Sequence, residues 1–329
     1  MLLSLKINFI TSLLIVLSIF STASLSEAKA PIKISVLKFG TVNWTLETIK
    51  KEKLDTQNGF ELIIQPLAST QAGKIALQAN AADIIVSDWI WVARQRGFFK
   101  DYLFFPYSSS AGSIVVPKQS PIHSIEDLIG KKVGIAGGGL DKNWLLLRAL
   151  ALRKNINLEA GIDKVFGAPP LLNGLMKQGE LDALINFWHY SARLKAEGYR
   201  EIINTHGIIE QLGIRRTLPI LGYVFSEKWA LENATVLNKF LIASQEAANL
   251  LCTSDEHWTA ILPLTRTQDT AKQQLLRHHY CDGRINHFSD AEKQAIAHIY
   301  SILADIGGKQ LVGSTTQFDT ALFWTAHQP

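Results

Sequence analysis

Twice along this chain, strand-like and helix-like segments alternate in the same order, and that repetition restricts the fold more than any other feature. Ile32-Lys33-Ile34-Ser35-Val36 alternates apolar and polar side chains, as a half-buried strand does, and ends at Gly40. Residues 45–53 read as a charged helix, and Phe60-Glu61-Leu62-Ile63-Ile64 as a second strand. Ser69 is placed to cap a helix running to Asn80, and Asp83-Ile84-Ile85-Val86 is a short buried strand. Strand, helix, strand, helix, strand is the order of a mostly parallel sheet, because its crossover helices come to lie on its faces.

The order returns after residue 110. Strands are expected at 113–116, 131–136, around Val165 and at 181–186, with helices over 140–154 and 171–178. Ser124-Ile125-Glu126-Asp127 has the spacing of a capping box and opens a short helix. From Ala234 the chain turns helical, with a long helix over 236–251 and a last one from Ser289, where Glu292 follows three residues on, to Gly307-Gly308. Two α/β units followed by helices predict two lobes. Tyr107 to Gly112 and Arg216 to Pro219 read as paired crossings between them. Residues 112–217 would then form one lobe, and 29–111 with 218–329 the other. A cleft is expected between them, where strand ends and helix N-termini converge.

The first 28 residues predict export. Lys6 and the terminal amine precede an apolar stretch over 10–20, broken only by Thr11, Ser12 and Ser18, and small polar residues follow. This is the pattern of a secretory signal peptide, too short and too soon polar for a spanning helix. Cleavage after Ala28 is preferred to cleavage after Ala30, which would leave Pro31 first. No later stretch reaches about 18 apolar residues and no cysteine lies near the cleavage site, so a soluble periplasmic protein is expected.

Charge and cysteine usage narrow the partners. Lys and Arg number 33 against 29 Asp and Glu, a net +4, and the basic residues never run longer than pairs. Nucleic acid is therefore not an expected partner. Cys252 and Cys281 are the sole cysteines, which excludes a disulfide-framework miniprotein and Cys-based zinc modules. In an oxidising compartment the two can pair, but the sequence does not supply the geometry. His278-His279-Tyr280-Cys281-Asp282, with His287 nearby, is the one histidine-rich run. Adjacent histidines on a helix project about 100° apart and do not chelate, so no metal and no cofactor are expected.

Three segments in this order resemble a known family. Ser120-Pro121-Ile122-His123-Ser124-Ile125-Glu126-Asp127-Leu128-Ile129-Gly130-Lys131-Lys132-Val133 resembles the run that opens the second lobe of bacterial solute-binding proteins. Gln178-Gly179-Glu180-Leu181-Asp182-Ala183 and Asn80-Ala81-Ala82-Asp83-Ile84 resemble two further motifs of that family, with Asn80 where a glycine is usual. Together they are similar to the nitrate/sulfonate/taurine class of periplasmic binding proteins serving ATP-driven importers. The resemblance implies an α/β, two-lobed periplasmic-binding-protein-like (type II) fold, with two mostly parallel sheets flanked by helices and a helical C-terminus. It also implies capture of a small organic solute, delivery to a cognate ABC permease and its ATPase, and a monomeric state. These motifs are turns, caps and strand starts, and they identify a scaffold without naming its ligand.

Ligand contacts are expected where strands end and the next helices begin. Candidates there are Asn43 and Trp44; Ser87, Asp88 and Trp89; Tyr107; Asp141 and Trp144; and Asn186, Trp188 and His189. Tryptophan faces supply large contact area, and oriented polar groups fix a ligand. Asp88 and Asp141, facing the cleft, would favour an amine, a hydroxyl-rich compound or a protonated heterocycle; as helix caps they would do neither. The glycine triplet 137–139 precedes a helix and could hold an anion or simply turn the chain. A small cyclic or amine-bearing solute is the expectation if Trp89 and Trp144 face the cleft. No hydrolase nucleophile elbow or metalloprotease helix is present, so an enzyme is not expected. The alternatives are an enzyme on the same scaffold, like the thiamine-pyrimidine synthase, which has a cysteine-rich motif absent here, and a periplasmic sensory or partner-binding module.

Overall fold

The computed structural model describes residues 29–325, and the signal-peptide reading lies outside them. Ten strands run in chain order: β1 Ala30–Leu37, β2 Phe60–Leu67, β3 Ile84–Asp88, β4 Tyr102–Ser108, β5 Gly112–Val116, β6 Lys132–Ala136, β7 Asp163–Gly167, β8 Ala183–Phe187, β9 Arg200–Asn204 and β10 Leu221–Ser226. They form two five-stranded sheets, ordered β2-β1-β3-β10-β4 and β7-β6-β8-β5-β9. In each, four strands run in one direction, and one returning strand pairs antiparallel on both sides: β10 in the first, β5 in the second. The fold is the two-lobed type II periplasmic-binding-protein architecture, with mixed sheets and a helical C-terminus.

The sheets form because their central strands are apolar on both faces. β5 and β8 are buried at every position, so helices must cover both sides. β4, β9 and β10 were not apparent in the sequence. β4 carries Pro106, which reads as a loop; as an edge strand it tolerates a residue without an N–H. Helices begin where polar caps stand before apolar runs. Ser69 accepts from Ala72 N at 3.1 Å, and Ser289 with Glu292 forms a reciprocal capping box. Ser124 and Asp127 open only a short 3-10 turn, over Glu126–Leu128.

The C-terminal helices do not stay with one sheet. The helix Ala234–Thr253 packs against Val42–Lys51 over the first sheet, but Asp290–Gly307 packs on Lys142–Arg153 and Thr270–Asp282 on Trp188–Ala196. One apolar cluster accordingly runs from Trp89 through Leu146 to Ile299 without a break. Cys252 and Cys281 form a disulfide that ties Ala234–Thr253 to Thr270–Asp282.

Candidate functional site

The carboxyl ends of parallel strands from both sheets face one cavity. Ser35, Val36 and Leu37 come from β1, Thr41 and Val42 from the start of the next helix, and Ser69 and Thr70 from the helix after β2. Lys142, Phe187, Trp188 and His189 come from the helix starts after β6 and β8. Tyr107 and Ala111, from the first crossing segment, and Leu221, which opens β10, complete its wall. The space is small, about 80 Å³, and mostly apolar. That is room for a few waters or a compact solute in this arrangement of the sheets.

Three sequence candidates line this cavity: Tyr107, Trp188 and His189. His189 is buried, and its Nε2 lies 3.1 Å from the Phe39 carbonyl oxygen. Burial, reinforced by the nearby Arg193 charge and opposed by the Phe39 hydrogen bond, holds its pKa well below the usual histidine range, so the ring is neutral at pH 7. A carbonyl oxygen can only accept, so Nε2 carries the proton and Nδ1 keeps its lone pair. That Nδ1 is buried and has no hydrogen-bond partner.

Lys142 was missed. It is 4% exposed, is held 3.2 Å from the Asp141 carboxylate, and has its ammonium 4.6 Å above the Phe187 ring. A buried cation so paired is already neutralised and offers a solute little net charge. Lys74, half-buried over the Trp91 ring, has its pKa lowered by burial against the pull of Asp88 and Asp141. Its helix begins at the cavity, but Lys74 does not line it.

The remaining candidates are elsewhere. Trp89 is 1% exposed, donates from Nε1 to Pro219 O at 3.0 Å, and meets Phe318 edge-on. Trp144 is fully buried in the continuous apolar cluster. Neither lines the cavity, because both sit on the core side of their helices, and the expectation of a cyclic or amine-bearing solute loses the observation it needed. Asp88 accepts from Trp91 N at 2.8 Å and Asp141 from Asn143 N at 2.9 Å, so both are helix caps. Asn43 donates to Leu37 O and Gly40 O, fixing the turn after β1. Asn186 is wholly buried and donates to Pro169 O and Asn173 Oδ1. Ser87 is buried, and its hydroxyl has no partner. Trp44 is buried behind the cavity, where Trp188, Trp258 and Tyr280 pack around it. The triplet 137–139 is a tight turn: Gly137 and Gly138 have φ of 85° and 88°. A Cβ at Gly137 would stand 2.6 Å from the Asp141 carboxylate.

A second, larger cavity of about 250 Å³ adjoins the first, sharing Thr41, Tyr107 and Trp188 as common walls. The Tyr107 and Tyr280 hydroxyls lie 3.0 and 2.7 Å from Thr45 Oγ1, and Tyr223 OH lies 2.7 Å from Ser244 Oγ. Burial raises the pKa of all three tyrosines, so they remain neutral. Of the sequence candidates only Tyr107 and Trp188 line this cavity, because its other walls come from segments as distant as 41 and 286.

Residues 106–256 match a family model described as NMT1/THI5 like. No curated protein sequence matches the chain. Among solved structures, the alkanesulfonate-binding protein SsuA from Xanthomonas axonopodis pv. citri, bound to MOPS, is similar with a TM-score of 0.71 at 17% identity, over 90% of this chain and 98% of that one. The periplasmic aliphatic sulphonate binding protein SsuA from Escherichia coli gives 0.65 at 15% identity, over 90% and 99%. The periplasmic nitrate-binding protein NrtA from Synechocystis PCC 6803 gives 0.57 at 10%, over 73% and 66%. At these identities the likeness is one of fold.

Proposed function

We propose that this chain, an NMT1/THI5-like segment within a periplasmic-binding-protein fold, is the solute-binding component of an ATP-driven importer. It would act in the periplasm, with its first 28 residues as the export signal, and hand its solute to a membrane permease. The observation that carries this reading is the cavity built from the strand ends of both sheets, with Tyr107 and Ala111 of the first crossing in its wall. Such a cavity can open and close by bending at the crossings, and a solute that prefers the closed state shifts the population toward it. The parts expected to move are 112–217 on one side and 29–111 with 218–329 on the other. The packing of Asp290–Gly307 on Lys142–Arg153 is a contact that such motion has to slide or break.

Tyr107, Trp188 and His189 are the proposed solute contacts, joined by Phe187 and the helix start at Ser69 and Thr70. The structural solved relatives named above bind solutes, which supports binding over catalysis. The geometry agrees, since the buried charges near the cavity, Asp141 and Lys142, neutralise each other instead of being poised for proton transfer.

The test is to express the full chain with its leader, purify it from the periplasm, and identify by mass spectrometry any small molecule released on denaturation. A single compound that rebinds saturably, compacts the protein in small-angle scattering and is recovered unchanged supports the reading. Conversion of that compound to another, or rebinding with no change of shape, sinks it.

A further inference from the structure

Arg284 is the one charged side chain in the wall of the 250 Å³ cavity beside the cleft, and no carboxylate lines that cavity with it. Its guanidinium makes a long contact, 3.5 Å, to the Asn249 side-chain oxygen. The carboxylate nearest in sequence, Asp282, is engaged elsewhere, with His278 at 3.0 Å. Around Arg284 the wall supplies neutral donors, the side-chain amides of Gln245 and Asn286, and apolar surface that includes Trp188. An unpaired guanidinium, neutral donors and an aromatic face make a site for an anion on an apolar body.

We propose that this side cavity is an anion chamber, in which Arg284 takes the carboxylate of an organic acid whose apolar body lies against Trp188 toward the cleft. The assignment rests on the solute-binding reading above and adds the charge of the solute to it. It contrasts with the cleft cavity itself, whose cation Lys142 is already paired with Asp141. A guanidinium fork matches the two oxygens of a carboxylate, and Arg284 is half-buried, so it can present that fork to a solute from the wall.

The probes are benzoate and its uncharged isostere benzamide, titrated calorimetrically against the full-length protein at low ionic strength. Benzoate is expected to bind saturably and benzamide at least about tenfold more weakly, the difference a charged hydrogen-bond pair makes. Arg284→Gln is expected to abolish that preference, and Arg284→Lys, which keeps the charge without the fork, to restore part of it. An unchanged melting temperature for the variants shows that folding is not the cause. Equal binding of both probes, no binding of benzoate, or an undiminished preference in Arg284→Gln overturns the chamber. Those results leave the transport reading intact if an uncharged compound recovered from the periplasm still rebinds and compacts the protein.

Discussion

The Nε2 of His189 donates to the carbonyl oxygen of Phe39, 3.1 Å away, and so joins the helix start after β8 to the turn after β1 across the cleft. One hydrogen bond between the two sheet units is worth about 1 kcal/mol. His189→Ala is therefore expected to shift the protein toward open conformations by roughly fivefold, read as a larger radius of gyration in small-angle scattering. An unchanged radius would mean that the contact does not hold the closed arrangement.

The same histidine sets a pH dependence. Its folded pKa lies well below the ordinary value of 6.5, so the unfolded chain binds a proton before the folded one does. The stability this depression contributes is full above about pH 6.5 and is lost as pH falls toward the folded pKa. Denaturant midpoints measured between pH 7 and 5 should fall, and fall less steeply in His189→Gln. Parallel slopes for the two proteins would assign the acid sensitivity to other groups.

Trp144 and Trp188 should separate core from site. Trp144→Ala removes a fully buried indole and is expected to cost about 3–5 kcal/mol in urea unfolding. Trp188 stands in the wall of both cavities and is only partly buried, so Trp188→Ala should cost less stability and weaken binding of the solute recovered from the periplasm. The reverse pattern would move the site.

The disulfide closes a loop with a sequence separation of 29 residues. In the chain-entropy model a loop of that length contributes about 3.5 kcal/mol by restricting the unfolded chain. The Cys252→Ser, Cys281→Ser double variant should therefore melt several degrees lower in calorimetry. A melting temperature equal to that of the oxidised parent would contradict this account.

Glu292 closes the capping box with Ser289 and pairs with Arg216 at 2.6 Å, and these hydrogen bonds lower its pKa to about 2. A depressed carboxylate pKa contributes stability that is present above its ordinary 4.5 and lost as pH falls toward 2. Glu292→Ala should cost about 1 kcal/mol at pH 7 and nearly nothing near pH 2, by denaturant titration. An equal cost at both pH values would point to packing instead.

The fold was legible because its causes are local. Ile32 to Val36 and Leu181 to Asn186 carry their strand character in composition and period, and Ser69 and Ser289 mark helix starts by side chains that satisfy N–H groups within three residues. Strand β4 escaped because an edge position, visible only in the sheet, is what tolerates Pro106.

The site was legible only as a set of neighbourhoods. The strand ends at 36–42 and 186–189 line the cavity, the one at 137–144 reaches it only through Lys142, and the one at 87–89 does not reach it. Which side chain at each end faces the cavity depends on helix rotation against the core. That rotation sent Trp89 and Trp144 inward and left Trp188 and His189 at the wall. The caps Asp88 and Asp141 went to backbone N–H groups because those donors are adjacent in sequence and unsatisfied otherwise. Arg284 belongs to the tertiary structure alone. The sequence determined the alternation of elements, the turns and the caps, since each follows from interactions within a few residues. Only the packed chain decided that a cation from the end of one helix would stand unpaired beside a tryptophan nearly a hundred residues earlier, because cavities are made by long-range packing that no local pattern encodes.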